Sequence, residues 1–308
     1  MEQQRGVWFA VSAFAFWGLA PLFWNLLSTV PALEILGHRI VWSLPLLFAI
    51  IAGRRRLGVL RDSFRNPGTA ATALAGGILL AINWGVFVWA VTSDHIVEAS
   101  LGYFINPLVS VALGVVVLRE RLRPAQRAAV ALAVAGVVGM TIVAGVVPWI
   151  SLTLAFSFGT YGLLKKRPDA APPFEGLLME TAFVAAPALA YLAVLAGTGE
   201  GAFGSSPNTT LVLVAGGAVT VTPLVLFGGA TQRIPLSTVG ILQYITPTMH
   251  FLIGVLVFNE AVTRGEWFAF VMVWIALIVY TIDMYRTTSA IPRAHGAVYE
   301  VENPGYAD

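Results

Sequence analysis

The sequence predicts an all-α polytopic membrane protein with ten transmembrane helices arranged as two inverted five-helix repeats. Three observations lead to this fold class: a composition too apolar for a soluble domain, ten apolar stretches of membrane-spanning length, and an internal repeat that contains an odd number of spans. The first two define the spans, and the third defines how the two halves of the chain are related.

The composition excludes a soluble globular domain. The 308 residues are 57% hydrophobic and only 11% charged, whereas soluble domains carry roughly 25% charged residues on average. Disorder is excluded because apolar residues are abundant. An outer-membrane barrel is excluded because the apolar runs are long and unbroken rather than alternating over about 10 residues. The net charge of +2 is too small and too scattered for a nucleic-acid-binding surface.

Ten stretches are long enough for helices that need about 20 residues to cross the hydrocarbon core. They cover residues 7–27, 34–52, 70–91, 97–118, 126–144, 148–165, 175–196, 209–231, 236–258 and 265–285. The first is interpreted as a retained span rather than a signal peptide, because it contains Trp17 and Pro21 and lacks a small-residue cleavage site. The polar residues 287–308 predict a disordered cytoplasmic tail.

Lysine and arginine lie almost entirely on one side of these spans. Sixteen of the 18 fall in the N-terminal segment, in alternate connections and after the last span, whereas Arg264 lies in an opposite connection and Arg39 inside the second span. Because positive residues concentrate on the cytoplasmic side, the bias predicts that both termini are cytoplasmic. The basic loop near 53–69 is predicted to lie on anionic headgroups.

A shift of 140 residues aligns the chain with itself. The shift matches Pro107 with Pro247, Gly114 with Gly254, Glu120 with Glu260, and the Ala-Gly-Gly of 75–77 with that of 215–217. The match predicts a first repeat over 1–146 and a second over 147–286. Because five is odd, the second copy must enter the bilayer from the opposite side. Inverted repeats are typical of secondary transporters with a substrate site near the midplane, and duplication as a mere assembly convenience is the alternative.

Each repeat carries a polar stripe in its fourth helix. The stripes are Tyr103, Asn106 and Ser110 in the first repeat and Gln243, Thr246 and His250 in the second, matched pairwise by the shift of 140. Their spacing places each set on one helical face, and the nearby Pro107 and Pro247 are expected to free a backbone carbonyl one turn earlier. Polar residues at this depth are costly in lipid, so the stripes predict a substrate cavity. Interhelical hydrogen bonds that only hold helices together are the alternative.

Three further residues are candidates to line the same cavity. Trp17 and Tyr161 lie mid-span at corresponding places in the first helix of each repeat, and Asn83 lies in the third span. Tryptophan and tyrosine more commonly mark the membrane interface, which is the alternative for Trp17 and Tyr161.

Ionisable residues near the ends of spans are candidates for gating or for a charge pathway. They are Glu34, His38 and Arg39 at the outer face, Glu180 towards the inner face, and Glu98 at the start of the fourth span. Glu34 and Arg39 are predicted to form a pair, with an arginine that merely reaches the interface as the alternative. Glu98 alternatively serves only as a partner of the helix dipole. Glu120 and Glu260 are predicted to be structural, accepting free N–H groups of the fifth helix in each repeat.

Enzyme signatures are absent from the sequence. There is no HExxH, GxSxG or phosphate-binding loop. The four histidines lack metal-ligand spacing, and the absence of cysteine excludes a thiolate site. The sequence therefore predicts no catalytic activity, no metal and no cofactor, and any pumping must use an ion or substrate gradient.

The run Glu98–Leu108 with the sequence EASLGYFINPL resembles the RarD group of the EamA-type drug/metabolite transporters. Supporting matches are Phe16-Trp17-Gly18, the segment 34–39, Asn83-Trp84, Tyr161-Gly162 and Gln243-Tyr244-Ile245. The resemblance covers residues 5–285. It implies ten helices, two EamA repeats and an inner-membrane carrier, and it names no substrate.

We therefore expect a secondary transporter that exports a small metabolite or amphiphilic drug by alternating access. Its expected partners are a small-molecule substrate and the lipid bilayer, with no nucleic acid. One alternative is a carrier of lipids or lipid-linked sugars, which would need a lateral opening. The other is a membrane sensor or assembly subunit without flux.

Overall fold

A computed structural model describes residues 2–93, 95–144, 149–257 and 264–290. Within these ranges the chain forms α-helices and one short 3-10 turn. The helices are α1 (Glu2–Trp24), α2 (Ala32–Gly53), α3 (Leu57–Arg65), α4 (Pro67–Thr92), α5 (Ile96–Val116), α6 (Pro124–Ala144), α7 (Trp149–Lys165), α8 (Pro173–Thr198), α9 (Pro207–Thr231), α10 (Leu236–Leu242), α11 (Ile245–Leu256) and α12 (Arg264–Ala290).

Six helical segments of the described chain are long and apolar enough to cross a bilayer. They are Glu2–Leu27, Ala32–Gly53, Pro67–Ala90, Pro173–Thr198, Pro207–Thr231 and Leu236–Leu256. Shorter apolar helices cover Gly102–Val116, Pro124–Gly139 and Phe270–Asp283. The helical, apolar character predicted from the sequence is therefore confirmed for these segments.

Local chemistry explains where several helices begin and end. The Asn66 side chain accepts from the backbone N–H groups of Gly68 and Thr69 at the start of α4, and Ser206 caps α9 by accepting from Thr209. A proline follows each cap, where its missing N–H costs no helical hydrogen bond. Gly199 ends α8 in the left-handed conformation, with φ of 72°, which glycine adopts without steric cost.

Helix α3 differs from the sequence interpretation, which treated the basic connection as a loop. Leu60 and Ser63 are buried on one side of α3, whereas Leu57, Val59 and Phe64 are exposed. Hydropathy alone misses this helix because it is short and rich in arginine. Exposed apolar side chains beside arginines suit a helix that lies in the membrane interface.

The ninth apolar stretch is broken into α10 and α11. The break falls at residues 243–244, just before Pro247, whereas α5 continues through Pro107. The prediction of a free backbone carbonyl at Gln243 is wrong, because the carbonyl oxygen of Gln243 accepts from the N–H of Thr246 at 3.1 Å. The tighter turn therefore satisfies the group that the proline deprives of its usual donor.

Helices from the first half of the chain pack mainly on helices from the second half. Helix α1 contacts α9 and α11, α2 contacts α8 and α9, and α4 contacts α7 and α8. Helix α5 contacts α7 and α10, and α6 contacts α12. Two helix pairs approach closely at glycines. A Cβ atom on Gly77 would lie 2.6 Å from the carbonyl oxygen of Glu180, and one on Gly217 would lie 2.7 Å from the carbonyl carbon of Trp42.

Two sequence predictions fall at the limits of the described chain. The boundary between the proposed repeats, at residues 146 and 147, lies outside the described residues. The tail was predicted from residue 287, but α12 continues to Ala290, and residues 291–308 lie outside the described part.

Candidate functional site

The two polar stripes lie on helices that pack against each other. Asn106, Ser110, Gln243 and Thr246 are buried, whereas Tyr103 and His250 are partly exposed. Close contacts join the helices. Tyr244 donates to the carbonyl of Phe104 at 3.1 Å. A Cβ atom on Gly240 would lie 2.7 Å from the carbonyl oxygen of Pro107 and 3.0 Å from Cβ of Ser110. The structure therefore brings α5 and α10 together at the stripes.

Part of the second stripe fastens α11 to α1. The Thr246 hydroxyl donates to the carbonyl of Phe14 at 2.9 Å, and Nε2 of His250 lies 3.1 Å from the carbonyl of Trp17. The His250 ring also packs edge-on against Tyr103, with ring centroids 5.6 Å apart. Thr246 and His250 thus have an interhelical role, and the His250–Tyr103 contact connects the two stripes.

Two buried amide oxygens in the stripes have no hydrogen-bond donor among the described residues. They are Oδ1 of Asn106 and Oε1 of Gln243. Leaving a buried acceptor unsatisfied costs about 1–3 kcal/mol. Such an energetic cost is typical of functional sites, because a bound ligand that donates a hydrogen bond to the oxygen removes it.

Asn83 and Tyr161 are held by the surrounding protein. The Asn83 side chain donates to the carbonyl of Leu154 at 2.9 Å and to Oγ of Ser157 at 3.0 Å, which joins α4 to α7. Tyr161 is fully buried and donates to Oε2 of Glu180 at 3.0 Å. Neither residue lies on the two stripes.

Trp17 belongs to an aromatic cluster in the core. Its ring centroid lies 5.6 Å from that of Phe158, 5.9 Å from that of Phe14 and 6.0 Å from that of Phe227. Because Trp17 remains partly exposed and its carbonyl meets His250, it lies between this cluster and the second stripe.

Glu180 forms a buried ion pair that sequence reasoning missed. Nζ of Lys165 lies 2.5 Å from Oε1 of Glu180, and both residues are 4% exposed. Lys165 was counted only as a cytoplasmic positive charge, because the end of α7 is next to a basic turn. Its position 15 residues before Glu180 gives no periodic signal. The two residues meet because α4 packs on both α7 and α8.

The predicted pairing of Glu34 with Arg39 is wrong. Oε1 of Glu34 accepts from the backbone N–H groups of Ala202 at 2.7 Å and Phe203 at 3.2 Å, in the connection between α8 and α9. Residues five apart on a helix point in different directions, so Arg39 faces other helices. Nε2 of His38, four residues from Glu34, lies 3.8 Å from the same carboxylate oxygen.

Glu34 and His38 border a cavity of about 710 Å³ between α2, α8 and the connection after α8. Nε1 of Trp42 donates to Nδ1 of His38 at 3.2 Å. The Phe203 ring stacks on both His38 and Trp42, with centroids 4.9 Å and 6.0 Å away. Glu34 and His38 therefore lie beside an ordered aromatic wall.

Arg39 points to the opposite side of α2, towards α1, α4 and α9. Its Nε donates to the hydroxyl of Thr220 at 2.9 Å. The guanidinium carbon lies 4.8 Å from the ring centroid of Trp24 and 5.5 Å from that of Trp84. The Tyr103 ring of the first stripe packs on Phe87, with centroids 6.2 Å apart, and Phe87 lies one helical turn after Trp84 on α4. Arg39 therefore lies beside the same face of α4 as the first stripe, away from Glu34.

Glu120 is structural as predicted, but its partner helix differs. Its carboxylate accepts from the backbone N–H groups of Leu236 at 2.7 Å and Ser237 at 2.9 Å, which start α10 rather than α6. Gly114 makes room, since a Cβ atom there would lie 2.7 Å from Oε2 of Glu120. The equivalent Glu260 and the side chain of Glu98 lie outside the described part of the structure.

Lys166 reinforces this end of the bundle. Its Nζ donates to the carbonyls of Thr231 at 3.1 Å and Ile234 at 2.7 Å. Burial lowers the pKa of Lys166, and the charge of Glu120 acts in the opposite direction.

Among the described residues, no group of three or more His, Asp or Glu side chains is placed to hold a metal ion.

Comparison with known proteins connects this geometry to a family. Residues 4–142 match the model of the EamA-like transporter family. Protein RarD of Streptomyces exfoliatus is 48% identical over 93% of this chain and 91% of its own length. An uncharacterized transporter of Pseudomonas aeruginosa is 42% identical over 94% of this chain and 97% of its own length.

A solved crystal structure shares the fold. It aligns with a TM-score of 0.68 at 20% sequence identity, and the alignment covers 90% of this chain and 97% of the other. At that identity the likeness concerns the path of the helices alone.

Proposed function

The chain belongs to the EamA-like transporter family as a RarD-type member, and on this basis we propose that it is a secondary carrier. We propose that it exports a small metabolite or amphiphilic drug across the bacterial inner membrane by alternating access. The substrate would bind between the two polar stripes. The proposal assigns no catalytic step to the chain.

We further propose that the fold is ten spans in two inverted repeats. The glycine contacts support this arrangement, because Gly77 meets α8 at Glu180 and Gly217 meets α2 at Trp42. Gly77 and Gly217 are equivalent under the shift of 140 residues, so equivalent positions approach the second helix of the opposite repeat. Such exchange of contacts is expected when two copies are related by a two-fold axis in the membrane plane.

The observation that carries the proposed site is the pair of buried, donor-free amide oxygens of Asn106 and Gln243. One lies on each stripe: Asn106 is in α5, Gln243 directly follows α10, and α5 and α10 are in contact. A substrate with N–H or O–H groups would satisfy both oxygens. Its release would restore the penalty, which helps to keep binding weak enough for transport.

Metabolite profiling tests the carrier function without a guess at the substrate. A bacterial strain that lacks its own RarD-type gene would carry either this chain or an empty vector. We expect at least one small solute to have a higher ratio of outside to inside concentration when the chain is present. Identical profiles for all detected solutes, with the protein present in the membrane, would argue against transport.

Asn106→Ala and Gln243→Ala should each reduce transport of that solute without destabilising the fold. A lost buried hydrogen bond is worth about 1 kcal/mol, which corresponds to roughly fivefold in affinity. Because neither oxygen has a donor among the described residues, its removal should leave the melting temperature unchanged or raise it. Gln126→Ala is the matched control, since Gln126 accepts from the N–H of Arg123 far from the stripes. Normal transport together with a lowered melting temperature would show that the stripe residues hold the helices together and do not bind the substrate.

Cysteine labelling tests the proposed topology, because the chain has no cysteine of its own. Asp62→Cys on α3 should be protected from a membrane-impermeant thiol reagent in intact cells, whereas Ser205→Cys should react. Both positions are exposed on the protein surface, so a difference between them reports sidedness rather than burial. Both should react once the cells are permeabilised. If Asp62→Cys reacted in intact cells and Ser205→Cys did not, the orientation of the chain in the membrane would be the opposite of the one proposed.

A further inference from the structure

In the part of the chain that the structure describes, no neighbouring carboxylate neutralises the positive charge of Arg39. Within the described chain, no Asp or Glu side chain forms an ion pair with it, and Glu34 is engaged by Ala202 and Phe203. Arg39 lies seven residues from the first residue of α2, which corresponds to about 10 Å along the helix axis. A charge at that depth is costly and typically marks a substrate or ion pathway.

The contacts of Arg39 leave the two terminal nitrogens of its guanidinium group available to donate hydrogen bonds to a ligand. Thr220 accepts from Nε, and the rings of Trp24 and Trp84 lie beside the guanidinium. No acceptor for the two terminal nitrogens occurs among the described residues, and the side chain is partly exposed. The guanidinium group presents five N–H donors in a planar fork that matches carboxylate and phosphate groups.

The surroundings of Arg39 connect it to the proposed substrate site. Arg39 lies beside Trp84, and Phe87, one turn further along α4, packs on Tyr103 with ring centroids 6.2 Å apart. The Tyr103 ring in turn contacts that of His250 on the second stripe. Trp24 and Trp84 supply apolar walls beside the charge. Together these groups offer an anion-binding end, aromatic surfaces and, at Asn106 and Gln243, free acceptors.

We propose that Arg39 binds the anionic group of the transported solute, and that this solute is a water-soluble organic anion whose carboxylate or phosphate is attached to an aromatic or otherwise apolar body. This inference rests on the proposed carrier function. A lipid phosphate would offer the same anionic chemistry. The soluble source is favoured because Arg39 lies about 10 Å from the outer end of α2 and is enclosed by side chains of α1, α4 and α9, away from the headgroups.

Binding of matched ligand pairs tests the charge requirement. The purified full chain in phosphatidylcholine nanodiscs would be titrated calorimetrically with 3-phenylpropionate, with its neutral analogue 3-phenylpropionamide, and with phenyl phosphate. We expect at least one anion to bind at least tenfold more tightly than the amide. Equal affinity for the amide, or binding of neither anion, would overturn the proposal.

Variants assign the effect to Arg39. Arg39→Gln should lower affinity for the bound anion at least tenfold and leave affinity for the amide unchanged, and Arg39→Lys should fall between the two. Arg233→Gln is the matched control, because Arg233 pairs with Glu2 outside the site. If Arg39→Gln does not fold, Thr220→Val removes the hydroxyl that orients the guanidinium and should weaken anion binding alone. Unchanged anion affinity in a folded Arg39→Gln protein would overturn the proposal.

A lipid arm separates the two sources of anion. Nanodiscs that contain phosphatidylglycerol should leave the binding of the soluble anion unchanged. Competition by phosphatidylglycerol that disappears in Arg39→Gln would reassign Arg39 to a lipid headgroup. Failure of this inference is distinguishable from failure of the carrier function, because metabolite profiles would still show export if the exported solute were neutral or cationic.

Discussion

Lys165→Met should destabilise the folded protein by about 3–5 kcal/mol, the cost of leaving one member of a buried ion pair without its partner. Lys165 and Glu180 are each 4% exposed, and Tyr161 donates to the other carboxylate oxygen. The α4 backbone lies close to the Glu180 carboxylate, since a Cβ atom on Gly76 would be 2.9 Å from Oε1, which limits the space for water beside the carboxylate. Reversible unfolding in mixed micelles with dodecyl sulfate, followed by far-ultraviolet circular dichroism, measures the change.

A second substitution and a nearby control identify the cause. Adding Glu180→Gln to Lys165→Met should recover more than half of the lost stability, because the buried charge is then gone and the amide still accepts from Tyr161. Arg167→Met breaks the exposed pair with Asp169, and it should change stability little because solvent screens such pairs. Equal loss in the single and double variants would show that packing of the lysine stem, rather than charge, dominates.

Gly217→Ala should be the most damaging conservative substitution in α9. The new Cβ would lie 2.7 Å from the carbonyl carbon and 2.9 Å from the carbonyl oxygen of Trp42. These are backbone atoms, so the clash cannot be relieved by a side-chain rotation and must separate α2 from α9. Overpacking of this kind costs typically 1–3 kcal/mol, and the same unfolding experiment measures it.

Gly85→Ala is the matched control within α4. Nothing lies within 4 Å of its Cβ position, and alanine is favoured over glycine in a helix interior by roughly 1 kcal/mol. We therefore expect opposite signs for the same chemical change at the two positions. Destabilisation by both substitutions would point to a general need for glycine in these helices rather than to close packing at Gly217.

The sequence predicts helices well where a single physical signal dominates. Hydropathy places the apolar stretches within a few residues of the observed helices, because lipid exposure requires long apolar runs. It misses α3, whose arginines lower its mean hydropathy, and it misses the break at Gln243. Both depend on tertiary context: one side of α3 packs on the bundle at Leu60, and the turn before Pro247 is tightened by the hydrogen bond from Thr246.

Partners of the candidate site residues were harder to predict than the residues themselves. Arg39 was selected because it is charged within a span, yet its contact with Thr220 joins residues 181 apart. Glu120 likewise reaches α10 across 116 residues. Proximity along the chain favoured Glu34 and α6, but the order of packed helices decides the contact. No periodicity encodes that order, so the three-dimensional fold is needed.

The packing of the first half of the chain on the second has a consequence for biosynthesis. Glu120 has no helix to cap until Leu236 has been made, 116 residues later, which takes on the order of ten seconds at typical translation rates. During that time α4 and α2 gain their partners only stepwise, as α7, α8 and α9 are made, and α1 still lacks α11 when Leu236 is added. Insertion machinery and membrane proteases therefore meet each nascent chain as an incomplete bundle, and the fold is completed only when the last helices leave the ribosome.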